Sequence, residues 1–476
     1  MQITGTLIDN IPTTERDVRV ETQELASLCL KPLESRQIPF QLQAEPEHRS
    51  VAARSVVLAD GSGRVQLLTG RDRFLDLTAL KSETGRELRA LGTNDAASVC
   101  RKLGLTELPG IPQVTGLPMW IDEALLSAQH IYVPSGQDQQ WIRIERADFA
   151  RLVSDCETRN CSHAAELDVL DAGGDQPVEE AVRKFTALRI QERLADTLHV
   201  PPLPDAARRI IQLQLEPDYD LSDLTRIVES DSSLAAQVVG WANSPYYRAR
   251  GEVNSVNDAI MRVLGFDMVI NLALGLAVSN NLRVPTSFQG GVFRYWMNSV
   301  YTAATAEALA RCMPRKQRVS PGMAYLSGLL HNFGVLVLAH VFPPHFDLVL
   351  AQRQANAHLP AYAVDQQVLG ISTEQIAGAL LESWNLPAAV HQGVRYQNAP
   401  ERAGESATYA KLLLLARQIL AARVAFASER PQPRLEADLV RDLGLDQNMV
   451  DEAISTIVES TDDLSQMAAQ LAGTPA

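Results

Sequence analysis

The residues best suited to chemistry are a histidine and the amide beside it, His331 and Asn332, which follow the apolar run Leu326–Leu330. An imidazole is a common ligand for a divalent cation, and a neighbouring carboxylate would add the oxygen donor that a hard cation prefers. Asn332 supplies a neutral amide in place of that carboxylate. The pair therefore predicts either a weakened metal site or a buried, hydrogen-bonded histidine, and we favour the second.

The other reactive side chains do not indicate a second centre or a cofactor. The five cysteines are scattered, and only Cys156 and Cys161 lie close together, which is a weak signal for zinc. No His-Asp pair lies near Ser244 in the sequence to activate its hydroxyl, so a capping role at a helix end is the better interpretation. The remaining histidines of the second half show no spacing typical of ligation: His340, His345, His358 and His391.

Composition and charge limit the classes of protein. With 476 residues the chain should hold two or three domains, and 46% hydrophobic with 21% charged residues is typical of a soluble protein. A net charge of -14 argues against a broad nucleic-acid surface, although a local RNA site stays open. The first residues lack an export signal and no apolar run reaches roughly 18 residues, so we expect a cytoplasmic protein without a membrane partner.

Residues 21–155 predict a mixed α/β domain. Two strands joined by the turn Asp60–Gly63 are indicated at residues 50–58 and 65–68. Helices are predicted at Phe74–Leu80 and Asp95–Leu103, the second capped by Thr93 or Asn94. A loop rich in proline and glycine follows, and then three further strands at residues 119–123, 131–133 and 141–144.

In its order of elements this domain resembles the YbaK/prolyl-tRNA-synthetase-associated family of aminoacyl-tRNA deacylases. The likeness is carried by Ala53–Leu58, by the loop around Gly110, by Ile121–Glu123 and by the closing segment Ile144–Leu152. It implies a pocket that includes Arg54, where the family has lysine, and Gly110. A guanidinium differs from an ammonium in reach and geometry, and Val114 stands where the family has proline. Deacylation, binding of a tRNA end or small ligand, and a structural relic all stay open.

Residues 156–177 predict a polar linker with a hinge near Asp171–Asp175. Beyond it, residues 178–400 read as an all-α bundle of short capped helices, beginning with Val178–Leu198. Ser222 is expected to cap one helix, Asp231 or Ser232 the next, and Ser255 a third that ends at Gly265.

Five motifs in order resemble the HDOD domain, the HD-related output domain of bacterial signalling proteins. They are Leu203–Pro204, Ile227–Leu234, Ala242–Tyr247, Val256–Gly265 and Gly328–Gly334, and the likeness closes with Trp384–Pro387. The resemblance implies a fold similar to that of HD phosphohydrolases, used as a regulatory module that contacts a signalling protein.

The HD comparison also implies where a metal cage would lie. An active cage combines several histidines and aspartates on separate helices, and its metal activates a water for attack on phosphate. Here Asn298, Asn332 and Thr373 replace expected ligands, and Tyr396-Gln397 replaces a common histidine pair. Only His331 and Asp365 match the pattern. We therefore predict a degenerate site without metal.

Residues 401–476 predict a helical extension with helices at Ala407–Ala422, Ala437–Leu443 and Asn448–Leu471, the last capped by Asp446. We expect it to pack on the bundle, although its apolar stripe would also suit a homodimer or a partner helix. The sequence thus predicts a catalytically degenerate signalling protein with a ligand-sensing first domain. The alternatives are a trans-editing aminoacyl-tRNA deacylase and, less favoured, a metal-dependent phosphohydrolase.

Overall fold

The computed structural model describes residues 28–48, 51–165, 203–215, 220–247, 251–279, 288–317, 319–423 and 433–472. They divide into two compact units, one of Met1–Glu166 with Leu350–Val364 and one of Leu167–Val349 with Asp365–Ala476. The predicted helix Val178–Leu198, the hinge at Asp171–Asp175 and the linker beyond Ala165 lie outside the described residues.

The first unit is mixed α/β, as expected. Its largest sheet contains, in order, β5 (Arg89–Ala90), β2 (Ala53–Asp60), β3 (Gly63–Gly70), β6 (Met119–Asp122) and β9 (Glu157–Arg159). In it β2 and β3 are antiparallel, and β6 runs parallel to β3. The strands outside this sheet are β1 (Gln41–Gln43), β4 (Arg73–Leu75), β7 (His130–Pro134), β8 (Trp141–Glu145) and β10 (Ser162–Ala164). Helices are residues 28–35, Leu77–Thr84, Thr93–Lys102 and Arg146–Leu152.

The β2–β3 hairpin forms where the sequence predicted it. Asp60 accepts hydrogen bonds from the backbone N–H groups of Ser62 and Gly63, and Gly63 has a φ of 136° that favours glycine. The predicted helix Phe74–Leu80 is wrong at its start, because Arg73–Leu75 pairs with β10 and Asp76 caps the helix that follows.

Two boundaries of the first unit differ from the prediction. Strands β9 and β10 lie inside the expected linker 156–177, so the unit extends past Asp155. Leu350–Val364, expected to belong to the helical domain 178–400, packs in the first unit instead. Strands this short give little sequence signal, and a segment docked from far along the chain gives none.

The second unit is entirely helical over its described residues. Its longest helix, Gln289–Cys312, packs against Pro321–Leu330, Ala407–Arg423, Gln447–Glu459 and Thr461–Ala472. The other elements are Asp205–Leu215, Leu221–Glu229, Ser232–Ala242, Val256–Asp258 with the π-helical turn Ala259–Leu264, Phe266–Ser279, Phe333–Val341, the first half of Pro343–Ala355, the end of Ala361–Leu369, Thr373–Ser383, Ala388–Arg395 and Pro433–Asp442.

The helix caps of this unit partly match the predictions. Asp231 and Ser255 cap their helices as expected, as does Asp446. Asp220 rather than Ser222 caps Leu221–Glu229, in a capping box with Asp223. The predicted final helix Asn448–Leu471 is two helices, separated at Ser460.

The C-terminal extension packs on the bundle, as predicted. Leu412, Ile457, Leu464 and Met467 belong to the same apolar core as Trp241 and Leu329. Among the described residues one stretch, Pro321–Val341, has the length and composition of a membrane span, but 83% of its most apolar window is buried inside the protein, as in a core helix.

Candidate functional site

His331 lies at the end of the helix Pro321–Leu330 and is 1% exposed. Its Nδ1 donates to the carbonyl oxygen of Gly328 at 2.7 Å, which fixes the ring. Burial, and after it the positive charge of Arg417, lowers the pKa of His331 from 6.5 to about 3. The ring is therefore neutral near pH 7, and the prediction of a buried, hydrogen-bonded histidine is confirmed.

The carboxylate of Asp365 also makes hydrogen bonds inside the helical bundle. It is fully buried and accepts hydrogen bonds from the backbone N–H of Thr373 at 3.2 Å and from its hydroxyl at 2.9 Å. Thr373 begins the helix Thr373–Ser383, where the helix dipole favours a negative charge. Asp365 therefore has a structural partner at the position where the HD comparison would place a metal.

The amide positions do not supply the missing ligands. Asn332 precedes the helix Phe333–Val341 without a side-chain capping bond, and Asn298 is a half-buried residue of the long central helix. Within the parts of the chain that the structure describes, no group of three or more His, Cys, Asp or Glu side chains could hold a metal ion. The chemistry of the donors at these five positions does not fit a divalent cation.

A cation contributed by the C-terminal extension lies close to this region. Arg417 donates to Gln397 Oε1 at 3.0 Å and to Asn398 Oδ1 at 2.8 Å, and Gln397 Nε2 donates to the backbone oxygen of His331 at 2.9 Å. A guanidinium here opposes the binding of a metal ion by like charge. Sequence reasoning missed Arg417, because its neighbours in the sequence carry no sign that it reaches the His331 helix.

In the first unit, Arg54 and Gly110 lie on opposite faces of the sheet. Arg54 pairs with Thr69 and Ser55 pairs with Leu68, and successive residues of a strand point to opposite faces. The Ser55 hydroxyl donates to the backbone oxygen of Pro109 at 2.7 Å, which places the Gly110 loop on the Ser55 face. The structure therefore does not bring the two predicted pocket residues together.

Gly110 has a packing role instead. A Cβ at this position would lie 2.7 Å from Val133 Cβ and 2.9 Å from Pro134 Cδ, and the Gly110 N–H donates to the Pro134 oxygen at 2.8 Å. Only glycine permits this approach of the loop to β7.

The face that carries Arg54 is polar and mostly enclosed. Thr69, the partner of Arg54 across the strands, donates to the buried carboxylate of Asp122 at 2.7 Å. Ser162 also donates to Asp122, and the Arg73 guanidinium lies 3.7 Å from the same carboxylate. Arg54 itself donates to Ala355 O at 3.0 Å and to Asn356 Oδ1 at 3.2 Å. In the sequence Asp122 stands out only as part of the motif Ile121–Glu123, and it was not predicted to be a site residue.

Comparison with known proteins now assigns the family. The HDOD domain model matches residues 200–400. A crystal structure of a candidate signal transduction protein from Marinobacter aquaeolei VT8 is 38% identical, with a TM-score of 0.81, over 93% of this chain and 99% of that one. This chain belongs to the HDOD family. Its HDOD domain accounts for the helical motifs that carried the resemblance in the sequence.

Two further matches are partial. An uncharacterized protein of Treponema pallidum (strain Nichols) is 26% identical over 219 residues, which are 45% of this chain and 41% of that protein, so the match spans less than half of the curated relative. A candidate trans-editing enzyme for prolyl tRNA synthetase aligns over 29% of this chain and 98% of its own, at 17% identity and a TM-score of 0.26.

Proposed function

We propose that this HDOD protein is a bacterial, cytoplasmic signal-transduction protein whose helical domain acts by contact with a signalling partner rather than by phosphohydrolysis. The observation that carries the proposal is the set of side chains at the HD-type positions. Asn298, Asn332 and Thr373 are neutral, Asp365 accepts hydrogen bonds from Thr373, and the cation Arg417 lies close to His331. A hydrolase would need several imidazole and carboxylate ligands at these positions to hold a metal and its activated water. The Marinobacter relative, similar over almost its whole length, is described in the same functional class.

Metal content and hydrolysis test the non-enzymatic part. We expect the full-length protein, purified after growth with added Mn and Fe, to hold well under one metal ion per chain and to leave a generic phosphodiester unhydrolysed. A variant in which Asn298→His, Asn332→Asp and Thr373→His restore the ligand types is the matched comparison. Near-stoichiometric metal in the unmodified protein, lost in His331→Ala and accompanied by hydrolysis, would overturn the proposal.

Contact with a partner is tested in the native cell. Full-length protein with a carboxyl-terminal tag is cross-linked in vivo and recovered, and the cross-linked residues are mapped by mass spectrometry. We expect a defined protein whose cross-links fall on residues 203–349 and 365–472. Cross-links that scatter over many proteins at the level of a tag-only control would contradict a role in specific contact.

We further propose that the YbaK-like first domain senses a ligand, and that the polar face of Arg54 and Asp122 supplies the recognition. A tRNA end or a small molecule with acceptor oxygens suits a guanidinium on the face of the sheet that also carries a buried carboxylate. Deacylation is less well supported, because Arg54 stands where the family has lysine and does not lie on the same face of the sheet as Gly110. Incubation with mischarged tRNAs separates the two roles. Release of amino acid that Arg54→Ala abolishes would favour the enzyme, whereas binding without release favours the sensor.

A further inference from the structure

Fifteen residues of the first unit come from the middle of the HDOD region. Leu350–Val364, here called the insert, comprises the end of the helix Pro343–Ala355, a turn and the start of Ala361–Leu369. About 185 residues of sequence separate the insert from Glu166, where the first part of the unit ends. Its position in the sequence gives no reason for it to pack there, so its contacts must supply one.

Asn356 makes the central contact and is fully buried. Its Oδ1 accepts from the Leu75 N–H at 2.8 Å and its Nδ2 donates to the Leu75 carbonyl at 2.9 Å. The side-chain amide thus pairs with the backbone of β4 as a residue of a neighbouring strand would. Few side chains other than asparagine and glutamine offer a donor and an acceptor in this arrangement.

Arg54 binds the same turn of the insert. Its guanidinium donates to Asn356 Oδ1 at 3.2 Å and to the backbone oxygen of Ala355 at 3.0 Å. Ala355 is the last residue of its helix, where unpaired carbonyls carry partial negative charge and attract a cation. The cation at the proposed ligand-sensing face is therefore bound by the chain itself.

The rest of the contact is one further amide and little apolar surface. The amide of Gln352, which is also buried, lies within hydrogen-bond distance of the Leu75 oxygen and the Leu77 N–H. Ala351 and Ala355 pack against the apolar cluster of Leu58, Leu67 and Leu75, and the His358 ring donates to the Arg73 oxygen at 3.1 Å. Alanine side chains remove little apolar surface from water. Polar contacts of the insert to β4 and to Arg54 therefore dominate its binding to the rest of the first unit. A ligand that offers the same donors and acceptors can replace such contacts.

We propose that the surface formed by Arg54 and the backbone of Leu75 is a peptide-recognition site, and that the insert is its built-in, displaceable occupant. The site accepts a helix end in which a small residue is followed by asparagine. While the insert is bound, Arg54 is closed to an external ligand. This inference rests on the proposed sensing role of the first domain for its biological meaning, since an external ligand would have to displace the insert.

Hydrogen exchange of the full chain, without any ligand, tests the site itself. In Asn356→Ala we expect the Leu75 amide and residues 350–364 to exchange about 30-fold faster, because two hydrogen bonds to Leu75 and one to Arg54 are lost. Strands β2 and β3 and the helix Ala407–Arg423 should keep their protection. Asn271→Ala, which removes a buried amide of the second unit, is the matched control and should leave Leu75 unchanged.

Every outcome of this experiment is informative. If Leu58 and Leu67 lose protection together with Leu75, the insert is a permanent part of the fold and the proposal fails. If Leu75 is unaffected, the contact contributes nothing and the proposal also fails. Should Asn356→Ala not fold, Asn356→Asp keeps the acceptor for Leu75 and Arg54 but loses the donor, and an intermediate acceleration is expected.

Arginine labelling gives a second reading on the same variants. Phenylglyoxal modification of Arg54, followed by peptide mapping, should be about tenfold faster in Asn356→Ala than in the unmodified protein, and unchanged in Asn271→Ala. Equal rates would show that the insert does not cover Arg54. Because neither experiment uses tRNA or a partner, a failure of the sensing role would leave their results intact.

Discussion

His331 shows how one side chain can keep its place in a family motif while its chemistry changes. Its Nδ1 donates to Gly328, as that of a metal-binding histidine would, but Asn332 brings no charge to balance a metal. Burial and the charge of Arg417 keep the ring neutral, so His331 packs in the core as an uncharged side chain, and its protonation there is unfavourable.

Acid should therefore destabilise the protein through His331. Because the pKa is lowered in the folded state, the unfolded chain takes up the proton first, and stability is lost as the pH falls from about 6.5 towards 3. Between about pH 7 and about pH 5 we expect the unmodified protein to lose about 2 kcal/mol more than His331→Gln. Urea denaturation at both pH values measures the difference. His163 is exposed, so His163→Gln is the control and should lose as much stability between the two pH values as the unmodified protein. If the unmodified protein loses no more stability than His331→Gln, the lowered pKa of His331 is contradicted.

For single residues, the sequence identifies those that lie in a motif. It does not identify residues whose partners are far away along the chain. His331, Asp365 and Thr373 could be named because they share a local pattern with a family. Arg417 and Asn356 could not, because each acts on residues far along the chain, Gln397 and Leu75 among them. Arg54 was named as a candidate, but its separation from Gly110 depends on the strand register, which the sequence does not show.

Among the elements, the helices Phe333–Val341 and Thr373–Ser383 are in close contact at Gly334. A Cβ there would lie 1.8 Å from the backbone oxygen of Thr373, which no change of rotamer can relieve. The glycine of the family motif therefore serves helix packing, and that role survives the loss of the metal ligands.

Gly334→Ala should destabilise the protein by about 3 kcal/mol, since the two helices must separate to admit a methyl group. Gly240→Ala is the matched control. It lies within the helix Ser232–Ala242 with no atom within 4 Å of the added Cβ, and should stabilise the helix by about 0.5–1 kcal/mol. Thermal and urea unfolding measure both. Similar effects of the two substitutions would show that the close approach is not maintained in solution.

Elements were predicted best where their signals were local. The β2–β3 hairpin, the strand before Glu123 and the Asp231 and Asp446 caps follow from short patterns. The expected Thr93 or Asn94 cap is wrong, since the helix Thr93–Lys102 begins after Gly92 without a side-chain cap. The break at Ser460 was missed because apolar residues continue on both sides of it.

For the molecule as a whole, the C-terminal helices form part of the core. Leu464 and Met467 are buried in the same cluster as the central helix, and the Tyr301 hydroxyl donates to the backbone oxygen of Thr461 at 3.0 Å. The division of the sequence at residue 400 therefore separates parts that share one interior. The fold class of each part was predicted, mixed α/β first and helical afterwards, because the change from strand to helix patterns is visible along the chain.

Leu464→Ala should cost about 2–5 kcal/mol, because it opens a cavity in that shared interior. Val458→Ala, at a side chain that is 55% exposed, should change stability by less than about 0.5 kcal/mol. Hydrogen exchange should show that Leu464→Ala also weakens protection in Pro321–Leu330. If only residues 447–472 lose protection, the extension folds as a separate layer.

The insert also has a consequence for biosynthesis. The ribosome completes the first 166 residues long before it reaches Leu350, so the unit is made without the segment that binds Arg54. At about 5–20 residues per second, the interval lasts roughly 10–40 s. During that time the nascent chain presents the Arg54 face uncovered, and chaperones or early ligands meet a form of the domain that the finished protein does not display.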